Sequence, residues 1–325
     1  MRTVCKMTKI LKKIKQQGIV YQLKQFNDAG MLTNVIFNIL TLGTSKTTLE
    51  LIQMNKMLKV KNKFRKKYAK ILEKPLIQRP GKTNNIIWIM WLQGISEAPD
   101  IVKMSIRSVT NALPNHKVII LTKENFKNYV DVPEDIVTKW QSGMISNAHF
   151  SDIVRMELLI QNGGTWFDST IMLDKKFPLI EDILRSNQTF FFQNMRPGQM
   201  GNSIWLSNWL IHSRSNEPTL LQVREILYTY WRQHNFAVDY FIFHIIWHLV
   251  YEFHDDEYQK ILKVPNALPL QIMYLLNKKN KESEVERIFS EFPLQKLTYK
   301  NITDEPGTVY HYLLERKGNL HDTSN

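Results

Sequence analysis

The segment at residues 146–174 constrains the fold most, because it combines charged residues with two kinds of regular structure. Asp152 and Arg155 are three residues apart, so on a helix they share one face. The apolar residues around them predict that this helix is buried. The two glycines at 163–164 predict its end, and an aromatic and β-branched strand then leads to Asp168. The sequence therefore predicts that these three charged side chains converge.

Alternating strands and helices are predicted before this segment. Apolar runs at 86–91 and 117–122 indicate buried strands, and helical patterns follow at 98–112 and 133–140. This alternation favours a mainly parallel sheet with helices on both faces. Ligands of such sheets bind beyond the carboxyl ends of the strands. We therefore expect a polar edge formed by Gln93, Gly94, Thr122, Asn125 and Asp168.

These motifs resemble those of the capsular polysaccharide synthesis group of glycosyltransferases. SDIVR at 151–155 and GGTWFDST at 163–170 are similar to the SDxxR, GG and DxD motifs of that group. The initiating mannosyltransferases and the glycosyltransferase toxins are related to it. WLQG at 91–94 and KLTYK at 296–300 resemble its first strand and its C-terminal signature. The resemblance spans about residues 84–300, but Thr170 stands where DxD has its second acid.

The resemblance implies an α/β fold of the A-type nucleotide-sugar class, which is Rossmann-like. It also implies transfer of a sugar from a nucleotide diphosphate donor such as a UDP- or GDP-sugar. The acceptor would be a capsular polysaccharide, another surface glycan or a lipid-linked oligosaccharide. The related families retain the anomeric configuration, so retention is implied here as well.

Asp152, Arg155 and Asp168 are the candidate catalytic residues. The resemblance implies that Asp152 holds the hydroxyls of the donor sugar and that Arg155 makes a charge-assisted hydrogen bond to it. The alternative for this pair is a salt bridge on a helix face, which contributes little to stability. Asp168 is the first candidate to hold Mn²⁺ or Mg²⁺, which would neutralise the charge developing on the leaving diphosphate.

Two further residues are candidate metal ligands. Thr170, two residues after Asp168 on the predicted strand, would project to the same face and offer its hydroxyl. His311 is a candidate near the C-terminus, because imidazole suits such ions. His244 lies in an apolar run and is predicted to be a core histidine.

Six residues are candidates for binding the nucleotide-sugar. The resemblance implies that Trp91 stacks on the nucleobase and that Gln93 contacts it, although a Trp that ends a buried strand is more often part of the core. Lys296 would neutralise the diphosphate. The other candidates belong to the matching motifs and are Gly94, Ser151 and Gly164.

Positive charge is concentrated near the N-terminus. The chain has a net charge of +13, but residues 1–82 carry 19 Lys and Arg against three acids, whereas the rest carries 24 against 27. The pattern changes at residues 78–81, where Pro and Gly occur together. We therefore predict a basic helical extension at 1–82 and a catalytic domain at 83–325.

The basic extension allows two interpretations. Ile10, Ile14, Val20 and Leu23, with lysines between them, indicate an amphipathic helix that would contact an anionic membrane. The alternative is a pair of solvated helices packed against the catalytic domain. No apolar run reaches the ~18–20 residues that span a bilayer, and no cleavable signal peptide is recognisable. A cytoplasmic location, peripheral at the inner face of the membrane, is therefore expected, with no nucleic-acid partner.

The remaining sequence excludes several classes of protein. Cys5 is the only cysteine, which excludes an internal disulfide framework and a cysteine-based zinc site. The GxGxxG, P-loop, HExxH and GxSxG motifs are absent. Two alternatives to a transferase remain. One is a glycosidase with Asp152 and Asp168 as its carboxylate pair, and the other is a non-catalytic basic interaction protein in which Thr170 marks the loss of metal chemistry.

Overall fold

A computed structural model describes residues 19–193 and 206–318 of the chain. Its helices are α1 Ile19–Ala29, α2 Leu32–Leu42, α3 Lys46–Lys67, α4 Ala69–Leu72, α5 Asp100–Ala112, α6 Glu134–Gln141, α7 Asn147–Asn162, α8 Pro178–Arg185, α9 Pro218–Gln233, α10 Ile242–Phe253, α11 Asp255–Gln259, α12 Glu282–Glu291 and α13 Val309–Gly318. Its strands are β1 Ile86–Met90, β2 Lys117–Leu121, β3 Gly164–Phe167, β4 Ile171–Leu173, β5 Phe190–Phe191, β6 Leu210–Ser213 and β7 Leu294–Lys296. Ile10 and Ile14 of the predicted amphipathic helix lie outside the described residues.

The central sheet has five strands in the order β2, β1, β3, β6, β5. β1 pairs in parallel with β2 and with β3, whereas β6 is antiparallel to β3 and β5 is antiparallel to β6. Four strands therefore run in one direction and β6 runs against them. The predicted α/β fold class is confirmed, and the described part of the N-terminal extension is helical as predicted.

Side chains of β1 alternate between two hydrophobic clusters, one on each face of the sheet. Trp88 and Met90 belong to the first cluster, and Ile87 and Ile89 belong to the second, as the period of two in a strand requires. Helices α7, α9 and α10 contribute to the first cluster together with α1, α3 and α4. Helices α5, α8, α12 and α13 contribute to the second. Both faces of the sheet are therefore covered, as predicted.

The N-terminal helices share the core of the rest of the chain. Phe64 of α3 belongs to the first cluster, and α3 packs against α10. Lys56 Nζ lies 3.1 Å from Asp239 Oδ2, and both side chains are buried. Gln25 Nε2 of α1 donates a hydrogen bond to Ala237 O at 2.7 Å. The predicted boundary at residue 82 therefore does not separate two hydrophobic cores.

β3 ends at Phe167, and the chain then turns into a second, two-stranded sheet. Ile171 N–H donates to Asp168 O at 3.0 Å, and β4 pairs antiparallel with β7, so that Ile171 lies opposite Lys296. The prediction that Asp168 and Thr170 lie on one face of a continuous strand is wrong, because this turn carries the chain between sheets. The new pairing brings Lys296 beside Thr170.

None of the described helices combines the length and the apolar character that crossing a membrane requires.

Candidate functional site

A cavity of about 760 Å³ lies at the carboxyl edge of the sheet. Its wall includes residues that follow β1 and β3, which are parallel neighbours. This is the edge expected for ligands of such sheets. The candidates that it brings together are Trp91, Gln93, Ser151, Asp152, Arg155, Asp168, Thr170 and Lys296.

Helix α7 places Asp152 and Arg155 in the cavity wall. Its N-terminus is capped by Ser146, whose Oγ accepts a hydrogen bond from the His149 N–H at 3.3 Å. Its C-terminal cap is Gly163, which has a φ of 73°. Asp152, Arg155 and the apolar residues between them are buried. The two charges are therefore held on a rigid, packed element and are not a solvated pair.

The guanidinium of Arg155 joins two carboxylates. Its Nη1 lies 3.3 Å from Asp152 Oδ1, and its Nη2 lies 3.0 Å from Asp168 Oδ1. Nη1 also donates to Asn208 O at 2.7 Å, and the guanidinium carbon lies 4.6 Å from the centre of the Trp166 ring. The three predicted catalytic residues therefore converge, with Asp152 and Asp168 both in contact with the buried guanidinium of Arg155.

Asp152 is ionised at neutral pH. It accepts a hydrogen bond from Asn208 Nδ2 at 2.7 Å, and His149 Nδ1 lies 3.5 Å from its Oδ2. Because Trp231 Nε1 donates to His149 Nε2 at 3.0 Å, the neutral imidazole carries its proton on Nδ1, facing the carboxylate. Burial raises the pKa of Asp152, but the His149 hydrogen bond and the Arg155 charge outweigh it, so the pKa is lowered.

Asp168 is fixed at the end of β3 by its backbone and by its side chain. Its N–H donates to Trp209 O at 2.8 Å, and its Oδ1 accepts from Trp166 Nε1 at 3.0 Å. Its Oδ2 lies 3.5 Å from Lys296 Nζ, which also donates to the Thr170 hydroxyl in a short contact. Burial lowers the pKa of Lys296, while the charge of Asp168 opposes that change. Each carboxylate oxygen of Asp168 therefore has a cation beside it.

The predicted metal ligands do not assemble into one site. Asp168 and Thr170 both contact Lys296. His311 lies on α13, pairs with two acids at 3.2 Å each and is not in the cavity wall, so the structure does not bring it together with the other candidate ligands. Within the part of the chain that the structure describes, no three His, Cys, Asp or Glu side chains are grouped to hold an ion. These residues do not fit a preformed metal site, because an ammonium group already neutralises Asp168.

Trp91 and Gln93 extend the cavity beyond β1. The Trp91 ring packs edge-on against Tyr299, with their centres 5.2 Å apart. The indole N–H of Trp91 is buried and has no hydrogen-bond partner among the described residues. Buried donors are normally paired, so this unpaired group is an exception.

Gly94 and Gly164 are not in the cavity wall. Gly94 has a φ of 86° and turns the chain after β1. Gly164 lies at the opposite end of β3 from Asp168, and a Cβ there would lie 2.5 Å from Asn84 Oδ1 and 2.7 Å from Ile86 O. The structure does not bring either glycine together with the other candidates. Gly94 shapes a turn, and Gly164 allows close packing of β3 on β1.

Helix α3 supplies a wall of the cavity that was not predicted. Glu50, Met54 and Met57 line it, and their spacing of four and then three residues places them on one helix face. Glu50 is one of only three acids in residues 1–82. This rarity was the one feature of the sequence that could have singled out Glu50 as a candidate site residue. Tyr240, from the loop before α10, also lies in the wall.

The fold and the cavity define an α/β protein with a charged site at the carboxyl edge of its sheet. The chain belongs to the capsular polysaccharide synthesis protein family, whose model matches residues 43–313. This match confirms the resemblance seen in the motifs, and it includes all of α3. No curated protein matches the chain. Among solved structures, the chain is similar to the PaToxG glycosyltransferase, with 14% identity, a TM-score of 0.35, and coverage of 61% of this chain and 83% of that one.

Proposed function

We propose that this protein is a glycosyltransferase that moves a sugar from a UDP- or GDP-sugar to a capsular polysaccharide, another surface glycan or a lipid-linked oligosaccharide. Membership of a capsule synthesis family supports this proposal. The observation that carries it is the position of Arg155 between Asp152 and Asp168, with Lys296 on the far side of Asp168. A nucleotide-sugar presents both hydroxyls and phosphate charges, and this cavity offers carboxylates and cations together.

The sugar of the donor would bind at α7. The Asp152 carboxylate would accept hydrogen bonds from sugar hydroxyls, since hydrogen bonds to a charged acceptor are the stronger kind. Arg155 is held on several sides by its partners, so it would meet the donor in a fixed orientation. Fixing the donor in a reactive geometry removes an entropic part of the barrier.

The diphosphate would lie beside Lys296. Negative charge grows on the leaving phosphate as the bond to the sugar breaks, and a prearranged cation in a partly dry site stabilises that charge. The contact with Asp168 favours the charged form of Lys296 against the effect of burial on its pKa. Trp91, Gln93 and Ser151 would bind the nucleoside part, and their common position in the cavity wall supports that assignment.

Dependence on Mn²⁺ or Mg²⁺ and retention of the anomeric configuration stay predictions that rest on the resemblance. When bound, the ion would supply further positive charge at the diphosphate. Because the described residues form no preformed site and Asp168 already contacts Arg155 and Lys296, the ion would be held mainly by donor phosphates, as Mg²⁺ often is.

Titration of the purified protein with UDP- and GDP-sugars, with and without Mn²⁺, tests the proposal. We expect the wild type to bind one donor class and to release its nucleotide when a glycan acceptor is added. Asp168→Asn should bind that donor more weakly at a temperature where circular dichroism shows that the variant is still folded. A wild type that binds no donor under any condition would instead favour a non-catalytic interaction protein.

A glycosidase that uses Asp152 and Asp168 is less compatible with this site. Such an enzyme needs a protonated carboxylic acid with a raised pKa. The pKa of Asp152 is lowered, and both carboxylates contact the same guanidinium. Release of sugar from an oligosaccharide without any nucleotide would favour the glycosidase.

We propose a cytoplasmic location with peripheral contact at the inner face of the membrane. The basic charge of residues 1–82 supports this location, because anionic lipids attract such segments.

A further inference from the structure

Helix α2 is an apolar helix that is exposed to solvent along most of its surface. Its sequence, LTNVIFNILTL, contains no charged residue, and none of its residues is buried. Phe37 is 64% exposed and Leu40 is 80% exposed. The start of α3, which follows α2 after a short turn, also exposes two leucines, Leu49 and Leu51. Soluble proteins rarely expose contiguous apolar surface without a partner for it.

Two polar side chains of α2, Asn38 and Thr41, donate hydrogen bonds within the helix itself. Asn38 Nδ2 donates to Asn34 O at 2.9 Å and to Asn34 Oδ1 at 2.7 Å. Thr41 Oγ1 donates to Phe37 O at 2.8 Å. Because these groups have partners in α2, moving them away from water costs less than it does for unpaired polar groups. Contact with a medium poorer in water is therefore compatible with the part of α2 that contains Phe37 and Leu40.

Basic residues precede and follow this apolar surface in the sequence. Lys46 begins α3 and lies between Leu42 and Leu49, and exposed lysines continue along α3. Residues 1–18, which precede α1, carry six Lys and Arg and no acid. An apolar helix face with cations beside it matches the boundary of a bilayer whose headgroups are anionic.

We propose that α2 and the start of α3 form an interfacial surface, defined by Ile36, Phe37, Leu40, Leu42, Leu49 and Leu51, that inserts shallowly into an anionic lipid bilayer. At about 1.5 Å per residue, this 11-residue helix is too short to cross the bilayer and would lie in its plane.

The interfacial surface adjoins the cavity. Glu50, which lines the cavity, lies between Leu49 and Leu51 in α3. Insertion of these leucines would therefore hold the α3 wall of the cavity close to the headgroups. If the proposed function is correct, this arrangement would favour an acceptor that is anchored in the same bilayer, and this last step alone depends on the proposed function.

Flotation of the full-length protein with lipid vesicles tests the surface. We expect binding to phosphatidylglycerol-containing vesicles and weak binding to pure phosphatidylcholine vesicles. Phe37→Ser/Leu40→Ser should bind the anionic vesicles about tenfold or more weakly, since two large apolar side chains lose their burial. The matched control is Leu262→Ser/Tyr274→Ser, which removes two exposed apolar side chains outside the interfacial surface and should bind as the wild type does.

A site-specific probe separates membrane insertion from other uses of the same surface. In a Cys5→Ser background, Phe37→Cys carries an environment-sensitive fluorophore, and Tyr274→Cys is the control. We expect a blue shift on addition of anionic vesicles for position 37 only. A label at position 37 that is already in apolar surroundings without lipid would show that another part of the chain covers the surface.

Three outcomes would overturn the proposal. They are equal flotation of the wild type and Phe37→Ser/Leu40→Ser, no shift of the label at position 37, and loss of a dimer in that double variant, which would identify a second copy as the occupant. No donor or acceptor is present in these assays. Failure of the proposed transferase activity would therefore leave their result unchanged.

Discussion

Arg155 contacts Asp152 at 3.3 Å and Asp168 at 3.0 Å, and so links the middle of α7 to the end of β3 through one buried guanidinium. Lys296 contacts Asp168 from the other side at 3.5 Å. Two cations and two carboxylates therefore form a continuous chain across the cavity. Removing any one of these charges changes the surroundings of the others.

Asp168→Asn should reduce sugar transfer by about 100-fold or more, because Arg155 and Lys296 lose the carboxylate that orients them. The amide keeps the shape of the side chain and an acceptor oxygen for Trp166. Steady-state kcat/KM with the donor identified by titration measures the effect. Asp304→Asn, which alters an exposed acid on another part of the surface, is the matched control and should keep full activity. Activity of Asp168→Asn close to that of the wild type would contradict the assignment.

Lys296→Met should lower transfer strongly, and Lys296→Arg should retain more of it. Burial lowers the pKa of Lys296 from the ordinary value of 10.5. The wild type should therefore lose activity on the alkaline side below that pH, as the ammonium loses its proton. A guanidinium stays charged over this range, so the alkaline loss should be absent from the pH profile of Lys296→Arg. An alkaline loss that persists in that variant would assign it to a different group.

Binding of Mn²⁺ should require the nucleotide diphosphate. The ammonium of Lys296 neutralises Asp168, and the described residues offer no group of three ligands. Electron paramagnetic resonance titration of free Mn²⁺ should show little binding to the protein alone and clear binding once UDP or GDP is added. Tight binding of Mn²⁺ without nucleotide would reveal a preformed site. Transfer after treatment with a chelator, with the ion then restored, measures whether the reaction needs it.

His244→Gln should make the stability of the protein less sensitive to acid. Burial lowers the pKa of His244 from 6.5 to about 4. His244 binds a proton at its ordinary pKa in the unfolded chain, but only near the lowered pKa in the folded protein. The free energy of unfolding therefore falls as the pH drops from about 6.5 to about 4. The melting temperature of His244→Gln should fall less than that of the wild type across this window. Equal slopes in the two proteins would contradict this account.

Lys56→Met should destabilise the protein by about 3–5 kcal/mol, because it leaves a buried carboxylate at Asp239 without its cation. Chemical denaturation measures the free energy of unfolding. The double variant Lys56→Met/Asp239→Asn should recover much of the loss, since Asn keeps an acceptor for the Phe241 N–H that Asp239 Oδ1 now binds. An unchanged free energy of unfolding in Lys56→Met would show that packing of the helical extension on the rest of the protein does not depend on the Lys56–Asp239 ion pair.

The helix, turn and strand that carry the site were predictable because their signals are local. Ser146 and Gly163 mark the ends of α7, and the spacing of Asp152 and Arg155 fixes their common face. The convergence on Asp168 followed from the short connection between α7 and β3. Periodicity and end signals therefore sufficed for this part of the fold.

Other parts of the site depend on contacts between distant residues. Lys296 and Thr170 are 126 residues apart and meet only because β4 leaves the central sheet to pair with β7. A pattern read along the chain cannot detect such a pairing, so Thr170 was predicted on a strand although it lies in the turn between β3 and β4. The cavity wall formed by α3 was not predicted for the same reason. The contact of Lys56 in α3 with Asp239 joins residues from opposite halves of the sequence.

Pairing of β4 with β7 also determines when the site can be completed during synthesis of the chain. A nascent chain that has emerged as far as β4 already contains α7, β3 and Asp168, but its residue Ile171 has no strand to pair with until residues 294–296 leave the ribosome. Until then the edge of β4 is open and Asp168 has Arg155 as its cation but not Lys296. The complete set of charges therefore arises late, so a chain released prematurely would lack the arrangement on which the proposed chemistry rests.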